Sequence, residues 1–211
     1  PVPERGMSVA LARLLQLASP ALPVGAYTYS QGLEWAVECG TVRDEASALA
    51  WIGDMLEWNL GRYEAPLLLR MLAACRRGDG LAALNERFLA SRETAELRAE
   101  TVQMGYSMTR LLGELGDFPA EALSALRALD EPGFPVAWAT AAVAWHVDEA
   151  AALTAYLWSW AANQMMAALK AVPLGQAASQ RVLFALGSRI PAIVERALTL
   201  EAYDAGGKLL W

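Results

Sequence analysis

The side chains in this sequence best suited to nucleophilic or metal chemistry are one histidine, His146, and two cysteines, Cys39 and Cys75. A thiol beside an imidazole would make a base-activated nucleophile. No local pattern around Cys39, Cys75 or His146 supports such a pair. Zinc needs three or four His, Cys or carboxylate ligands at short spacings, and no such cluster occurs. There is no G-x-S-x-G elbow. Gly206 and Gly207 precede Lys208 without the rest of a phosphate loop. The residues therefore predict no catalytic centre, no metal site and no cofactor, so any nucleotide or metal chemistry would be supplied by a partner. The plain expectation is two buried, reduced thiols and a partly buried, satisfied His146 among Trp138, Trp145 and Val147. A helical enzyme using Cys39 or Cys75 as nucleophile is the alternative reading.

The elements that would carry these groups are helical. Alternating strand patterns and Asn-Gly or Asp-Gly hairpin turns are absent, while apolar residues recur at helical spacing nearly throughout. The fold class predicted is all-α: a single-domain bundle of about ten helices with short connections around a central apolar helix. The predicted helices begin with Ser8–Ala18, with Leu11, Leu14, Leu15 and Ala18 on one face. Tyr29–Glu38 follows, closed by Gly40. Thr41 or Asp44 caps the next helix. Gly61 and Pro66 break the chain before another, and Gly78-Asp79-Gly80 closes that one. Leu81–Ala90 and Arg92–Leu115 follow. Pro119 and Pro135 suit first turns, Asp148 caps a helix to Val172, and Pro191 is read as opening the last helix. Residues 1–7 are expected to be an unstructured or vector-derived start, 8–200 one helical domain and 201–211 a tail.

Composition narrows the function classes. Of 211 residues, 55% are apolar and 19% charged, so apolar surface is in excess and suits a protein partner. The net charge of -6, with scattered Lys and Arg, argues against nucleic acid. Ala150–Leu169 carries no charge and is long enough to cross a bilayer. Asn163 and Gln164 lie inside it, however, and Asp148, Glu149 and Lys170 bracket it. A central helix wrapped by others is the reading preferred to a membrane-associated bundle. Eight tryptophans are many for this length; Trp35, Trp51 and Trp58 could anchor an interface.

Three segments carry more information. The first is Ser19–Trp35, SPALPVGAYTYSQGLEW. Pro20 and Pro23 stiffen it, Ser30 could cap a helix, and Gln31 and Glu34 would face similarly. The second is Ser91–Ser107, SRETAELRAETVQMGYS. On a helix, Arg92, Glu96, Glu100 and Gln103 align as a polar face, and Arg92 and Glu96 could pair. The third is Lys170–Gln180, KAVPLGQAASQ. Lys170 suits a helix C-terminus, and Gln176 and Gln180 open the next helix. Each alone reads as an ordinary capped corner or solvated face.

Together, in this order, the segments resemble the urease accessory protein F (UreF) family, from about Leu11 to Leu198. The resemblance implies an all-helical, cytoplasmic, dimer-forming protein without enzymatic activity that acts in urease maturation. Its implied partners are the accessory protein UreD (also called UreH), the nickel-carrying GTPase UreG and apo-urease. The residues implied to lie near partners are Pro23, Gly25, Tyr27, Tyr29, Ser30, Gln31, Glu34, Arg92, Glu93, Glu96, Arg98, Lys170, Gln176 and Gln180. Two departures stand out. Ser179-Gln180 occupies a place where Gly-Gln is common in the family. The chain closes on EAYDAGGKLLW rather than on a His-containing tail with an Arg-Leu-Phe-Arg-Ser-like end.

Overall fold

The computed structural model describes residues 4–25 and 30–204, and the side chains of 9–25 and 30–200. Among the described residues there is helix and turn and no strand. The helices are α1 (Glu4–Leu17), α2 (Leu33–Glu38), α3 (Glu45–Asp54), a π-helical stretch (Met55–Glu64), α4 (Ala65–Arg77), α5 (Leu81–Ala90), α6 (Ala95–Glu114), α7 (Ala120–Arg127), α8 (Phe134–Ala144), α9 (Glu149–Ala171) and α10 (Gln176–Asp204). No described helix is long and apolar enough to cross a membrane. The fold is all-α, as predicted.

Many boundaries follow from side-chain caps. The Asp44 carboxylate accepts from the Ser47 amide at 2.9 Å, and the Ser47 hydroxyl accepts from the Asp44 amide at 3.1 Å. This reciprocal box satisfies donors that the first turn of α3 leaves orphaned. Asp148 caps α9 by accepting from the amides of Ala150 and Ala151. At the end of α8, His146 adopts φ 56°. The His146 amide then reaches Val143 O, and the Val147 amide reaches Ala142 O. These two bonds form a Schellman closure, which needs a left-handed residue at that point. His146 is therefore an exposed turn residue, not the partly buried one expected.

The chain divides into two compact units, Pro1–Gly25 with Leu67–Ala155, and Ala26–Pro66 with Tyr156–Trp211. In the first unit, α8 is enclosed on every side: Phe134 to Ala142 are all buried, and Trp138 has no exposure at all. The enclosed apolar helix is thus α8; α9, expected in that role, leaves Thr154, Trp158 and Met166 exposed. Helix α6 packs along α8, and α7 packs on both. Gly105 of α6 makes this approach possible, because a Cβ there would lie 1.8 Å from Pro132 O. Helix α1 is rotated from the expected face. Leu17 is buried while Leu11 and Leu15 are exposed. Arg13 shares the inward side, 3.5 Å from Asp117 and over the Trp145 ring.

In the second unit, α10 packs along α3 and the π-helical stretch. Arg181 pairs with Glu45, Arg189 covers Gly53, Ile193 meets Gly61, and Arg196 pairs with Glu57. From Glu45–Arg181 through Gly53–Arg189 to Gly61–Ile193 the numbers rise together, so the two rods run parallel. One rod buries Ala48, Ile52, Leu56 and Leu60, and α10, packed along it, buries Val182, Leu186, Ile190, Ile193 and Ala197. Each such Leu or Ile contributes about 1.5–3 kcal/mol. The exposed ion pairs at the ends are screened by solvent and add little.

Two predicted breaks are absent. Gly61 and Pro66 do not interrupt the chain; helix continues from α3 through the π-helical stretch into α4. The Ala65 amide bonds to Leu60 O, five residues back. That wider winding accommodates a residue without an amide hydrogen directly after it. Pro191 lies inside α10 rather than at the start of a last helix. Burial of Leu186, Ile190 and Ile193 on both sides outweighs the roughly 3 kcal/mol that proline costs in a helix interior.

Candidate functional site

The three segments singled out by sequence are held by different devices. In the first, Leu22 and Val24 are buried while Pro23 between them is exposed. The Ser19 carbonyl accepts from the Leu22 amide at 3.0 Å, and Gly25 takes φ 80°. Tyr27 and Tyr29 lie outside the described residues. Where the description resumes, Gln31 has φ 49° and Gly32 φ 88°, two consecutive left-handed residues. Helix α2 starts only at Leu33, with Gly32 as its N-cap and no side-chain cap. The predicted helix start at Tyr29, and Ser30 as its cap, are therefore corrected: left-handed backbone cannot continue a right-handed helix. Gln31 does not share a face with Glu34. Its side-chain carbonyl instead accepts from the Trp160 indole N–H at 2.7 Å. Beyond it, Leu33 and Ala36 are buried, and Glu34 and Trp35 are exposed, Trp35 by 65%.

In the second segment, α6 begins at Ala95, not Arg92. Thr94 caps it by accepting from the Leu97 amide at 3.1 Å. Arg92 precedes the helix, so the predicted Arg92–Glu96 pair across one turn does not form. The Arg92 guanidinium lies 4.2 Å over the Phe88 ring, and its Nη2 donates to Ser91 Oγ. The nearby Glu96 amide and Thr94 hydroxyl hold the Glu96 carboxyl below its ordinary pKa. Glu93 and Glu96 are exposed. Glu100, predicted on the same solvated face, is buried.

The interior side of this segment grips the turn before α8. Arg98 Nη2 lies 2.6 Å from Glu131 Oε2 and draws the Glu131 carboxyl to a lower pKa. Asn85 donates to Glu131 O at 2.8 Å and accepts from the Gly133 amide at 2.8 Å. Thr101 Oγ1 accepts from the Phe134 amide at 3.1 Å, and Tyr106 donates to Asp130 O at 2.5 Å. Arg98, at the end of SRETAELR, and Thr101 and Tyr106 just after it thus have structural work inside their own unit.

In the third segment, Lys170 is exposed in the last turn of α9. Gln176 and Gln180 are exposed at the start of α10. Ser179 between them is 1% exposed, its amide bonded to Gly175 O and its hydroxyl to Gln176 O. Only a small side chain fits such a position, which accounts for Ser where Gly is common. Two residues on, Arg181 grips Glu45 with two bonds of 2.8 and 2.6 Å.

Among the described residues, Cys39, Cys75 and His146 sit apart from one another's hydrogen bonds. Cys39 is exposed and Cys75 half-buried, and both are free, so the expectation of two buried thiols holds for neither in full. Burial raises the pKa of Cys75, whose sulfur lies 3.5 Å from Thr140 Oγ1. A nucleophilic thiol needs the opposite shift. Among the described residues, no three His, Cys, Asp or Glu side chains gather to hold a metal ion. Sequence reasoning missed Trp160, Asn85, Glu131 and Glu45. Each acts on a residue tens of positions away, and helical spacing carries no signal of such pairs.

The UreF family model matches residues 42–187, which takes in the second and third segments. The urease accessory protein UreF of Azoarcus sp. (strain BH72) is 66% identical over 194 residues, 90% of this chain and 83% of that protein. The chain belongs to the UreF family of urease accessory proteins. UreF of Dechloromonas aromatica (strain RCB) is 60% identical over 193 residues, 90% of this chain and 85% of that one. A Bordetella bronchiseptica relative named bifunctional urease accessory protein UreEF is 50% identical over 186 residues, 87% of this chain and 43% of its own length. Membership of the UreF family places the chain in urease maturation as an accessory protein.

Proposed function

We propose that this chain is a cytoplasmic, homodimeric scaffold that, together with UreD/UreH, holds the GTPase UreG on apo-urease while nickel is delivered. It performs no catalysis of its own; its effect on UreG is differential binding of one nucleotide state. Family membership carries the reading. Two further observations support it. The Bordetella relative bears the names of two accessory proteins in one chain, in keeping with work done side by side. The surface also keeps Trp35, Trp58 and Phe184 largely exposed, and Arg62 lies 4.3 Å over the Trp58 ring. Aromatic and Arg side chains of this kind are the usual anchors of protein interfaces.

Within this reading the exposed members of the three segments, Pro23, Glu34, Glu93, Glu96, Lys170, Gln176 and Gln180, face partners. Gly25, Ser30, Arg92 and Arg98 shape the surfaces from within. Tyr27 and Tyr29 belong to the same proposal. Co-expression with UreD/UreH, UreG and apo-urease tests it by what co-purifies. Glu34→Lys and Gln176→Ala are expected to lower urease activation while leaving stability within about 0.5 kcal/mol. Variants that activate urease normally, or a wild-type chain that captures none of these proteins, would defeat the proposal.

A further inference from the structure

Gln31 is one of two non-glycine residues with positive φ among those described, and the other, His146, closes a helix. Left-handed backbone strains any L-residue with a Cβ, and glycine would occupy position 31 without strain, as Gly32 does next to it. The side chain of Gln31 supplies what glycine could not. It reaches α9 and accepts the Trp160 indole N–H at 2.7 Å, across 129 positions of sequence and in a partly buried setting. The clasp sits two residues ahead of α2. That helix has only six residues, too few to hold its shape alone. Its pose is set by buried Leu33 and Ala36 on one side and by the clasped turn at its start. The opposite edge presents Glu34, Trp35 and Glu38 to solvent, two carboxylates one turn apart flanking an indole.

We propose that Gln31 is a positioning residue in urease maturation: by clasping Trp160 it aims the acidic, aromatic edge of α2 at a protein surface bearing Lys or Arg around an apolar spot, and it touches no partner itself. The inference rests on the maturation role proposed above. It differs from a direct contact in what it requires of Trp160, which must matter as much as Gln31.

The test uses the full chain with Gln31→Ala, Gln31→Glu, Trp160→Phe and the double variant Gln31→Ala/Trp160→Phe. One readout is the chain concentration giving half-maximal urease activation in a lysate lacking its own UreF. The other is the indole ¹⁵N–¹H signal of Trp160. Gln31→Ala is expected to move that signal and to raise the half-maximal concentration about fivefold, the equivalent of one net hydrogen bond of about 1 kcal/mol. Trp160→Phe should match it, and the double variant should be no worse than either single one. Gln31→Glu keeps an acceptor and should stay within about twofold of wild type. If the alanine variant unfolds, Gln31→Gly replaces it, since the left-handed turn accepts glycine freely. Normal activation by Trp160→Phe, or losses that multiply in the double variant, would overturn the clasp. A wild-type chain that activates no urease would overturn the maturation reading as well. Unchanged variants beside an active wild type would overturn the clasp alone.

Discussion

Gly105→Ala is the sharpest probe of how the central signature works. The new Cβ would lie 1.8 Å from Pro132 O and within 2.8 Å of two further backbone atoms. Ordinary contact begins near 3.4 Å, so the 130–134 turn must retreat by about 1.6 Å. That displacement exceeds the tolerance of the bonds to Asn85 and of the Thr101–Phe134 bond, which are 2.8, 2.8 and 3.1 Å long. Three buried or half-buried hydrogen bonds at about 1 kcal/mol each amount to roughly 3 kcal/mol. Alanine recovers about 1 kcal/mol of helix propensity. The net expectation is a loss of about 2 kcal/mol, or roughly 4–8 °C in Tm for a chain of this size. Thermal and urea unfolding would read it. Gly113→Ala is the control: its Cβ meets chiefly the far end of the flexible Arg127 side chain, so its stability should equal that of wild type or exceed it by up to about 1 kcal/mol of helix propensity. A Gly105→Ala variant as stable as wild type would refute the account of the α6–α8 approach.

Two further expectations concern titration and reactivity. The carboxyls of Asp44, Glu45 and Glu131 are held below their ordinary values of 3.8, 4.5 and 4.5, by Ser47, Arg181 and Arg98 respectively. Their contribution is complete above those ordinary values and is lost as pH falls through the lower folded-state values. Tm should therefore decline below about pH 4.5, and Glu45→Gln should flatten the decline; a Tm unchanged down to pH 3 would contradict the ion pairs. With a thiol reagent at pH 8, exposed Cys39 should react first, and Cys75, with its raised pKa, should lag until the chain unfolds. Equal rates for the two thiols would count against the packing of Cys75 beside Thr140.

Local chemistry was legible in the sequence, and long-range chemistry was not. Asp44 and Asp148 act as caps because a carboxylate two or three residues ahead of free amides needs no distant help. The positions of Gly40, Gly78 and Gly80 follow from the same local logic. Pro191 misled because its cost is local while its compensation, the burial of α10 along its length, is tertiary. Gln31 misled for a similar reason: its side chain is held by Trp160, and nothing between residues 19 and 35 records that. The polar periodicity of SRETAELR suggested a solvated face. Glu93 and Glu96 are exposed, but Arg98 and, just beyond the stretch, Thr101 bond to the turn before α8, and Glu100 is buried. The family resemblance was legible because it rests on residue order, and the roles of individual residues were not, because they rest on contacts.

The parallel pairing of α3 and the π-helical stretch with α10 bears on how the chain is made. The amino-terminal half of that unit ends at Pro66, and its carboxy-terminal half starts at Tyr156. Roughly ninety residues leave the ribosome in between, which takes about 5–20 s at ordinary elongation rates. Throughout that interval Ile52, Leu56 and Leu60 have no α10 to lie against. The nascent protein therefore spends seconds with a sticky, unmatched rod while the rest of the other unit is still being made, and a synthesis that stops short of α10 would leave it so permanently.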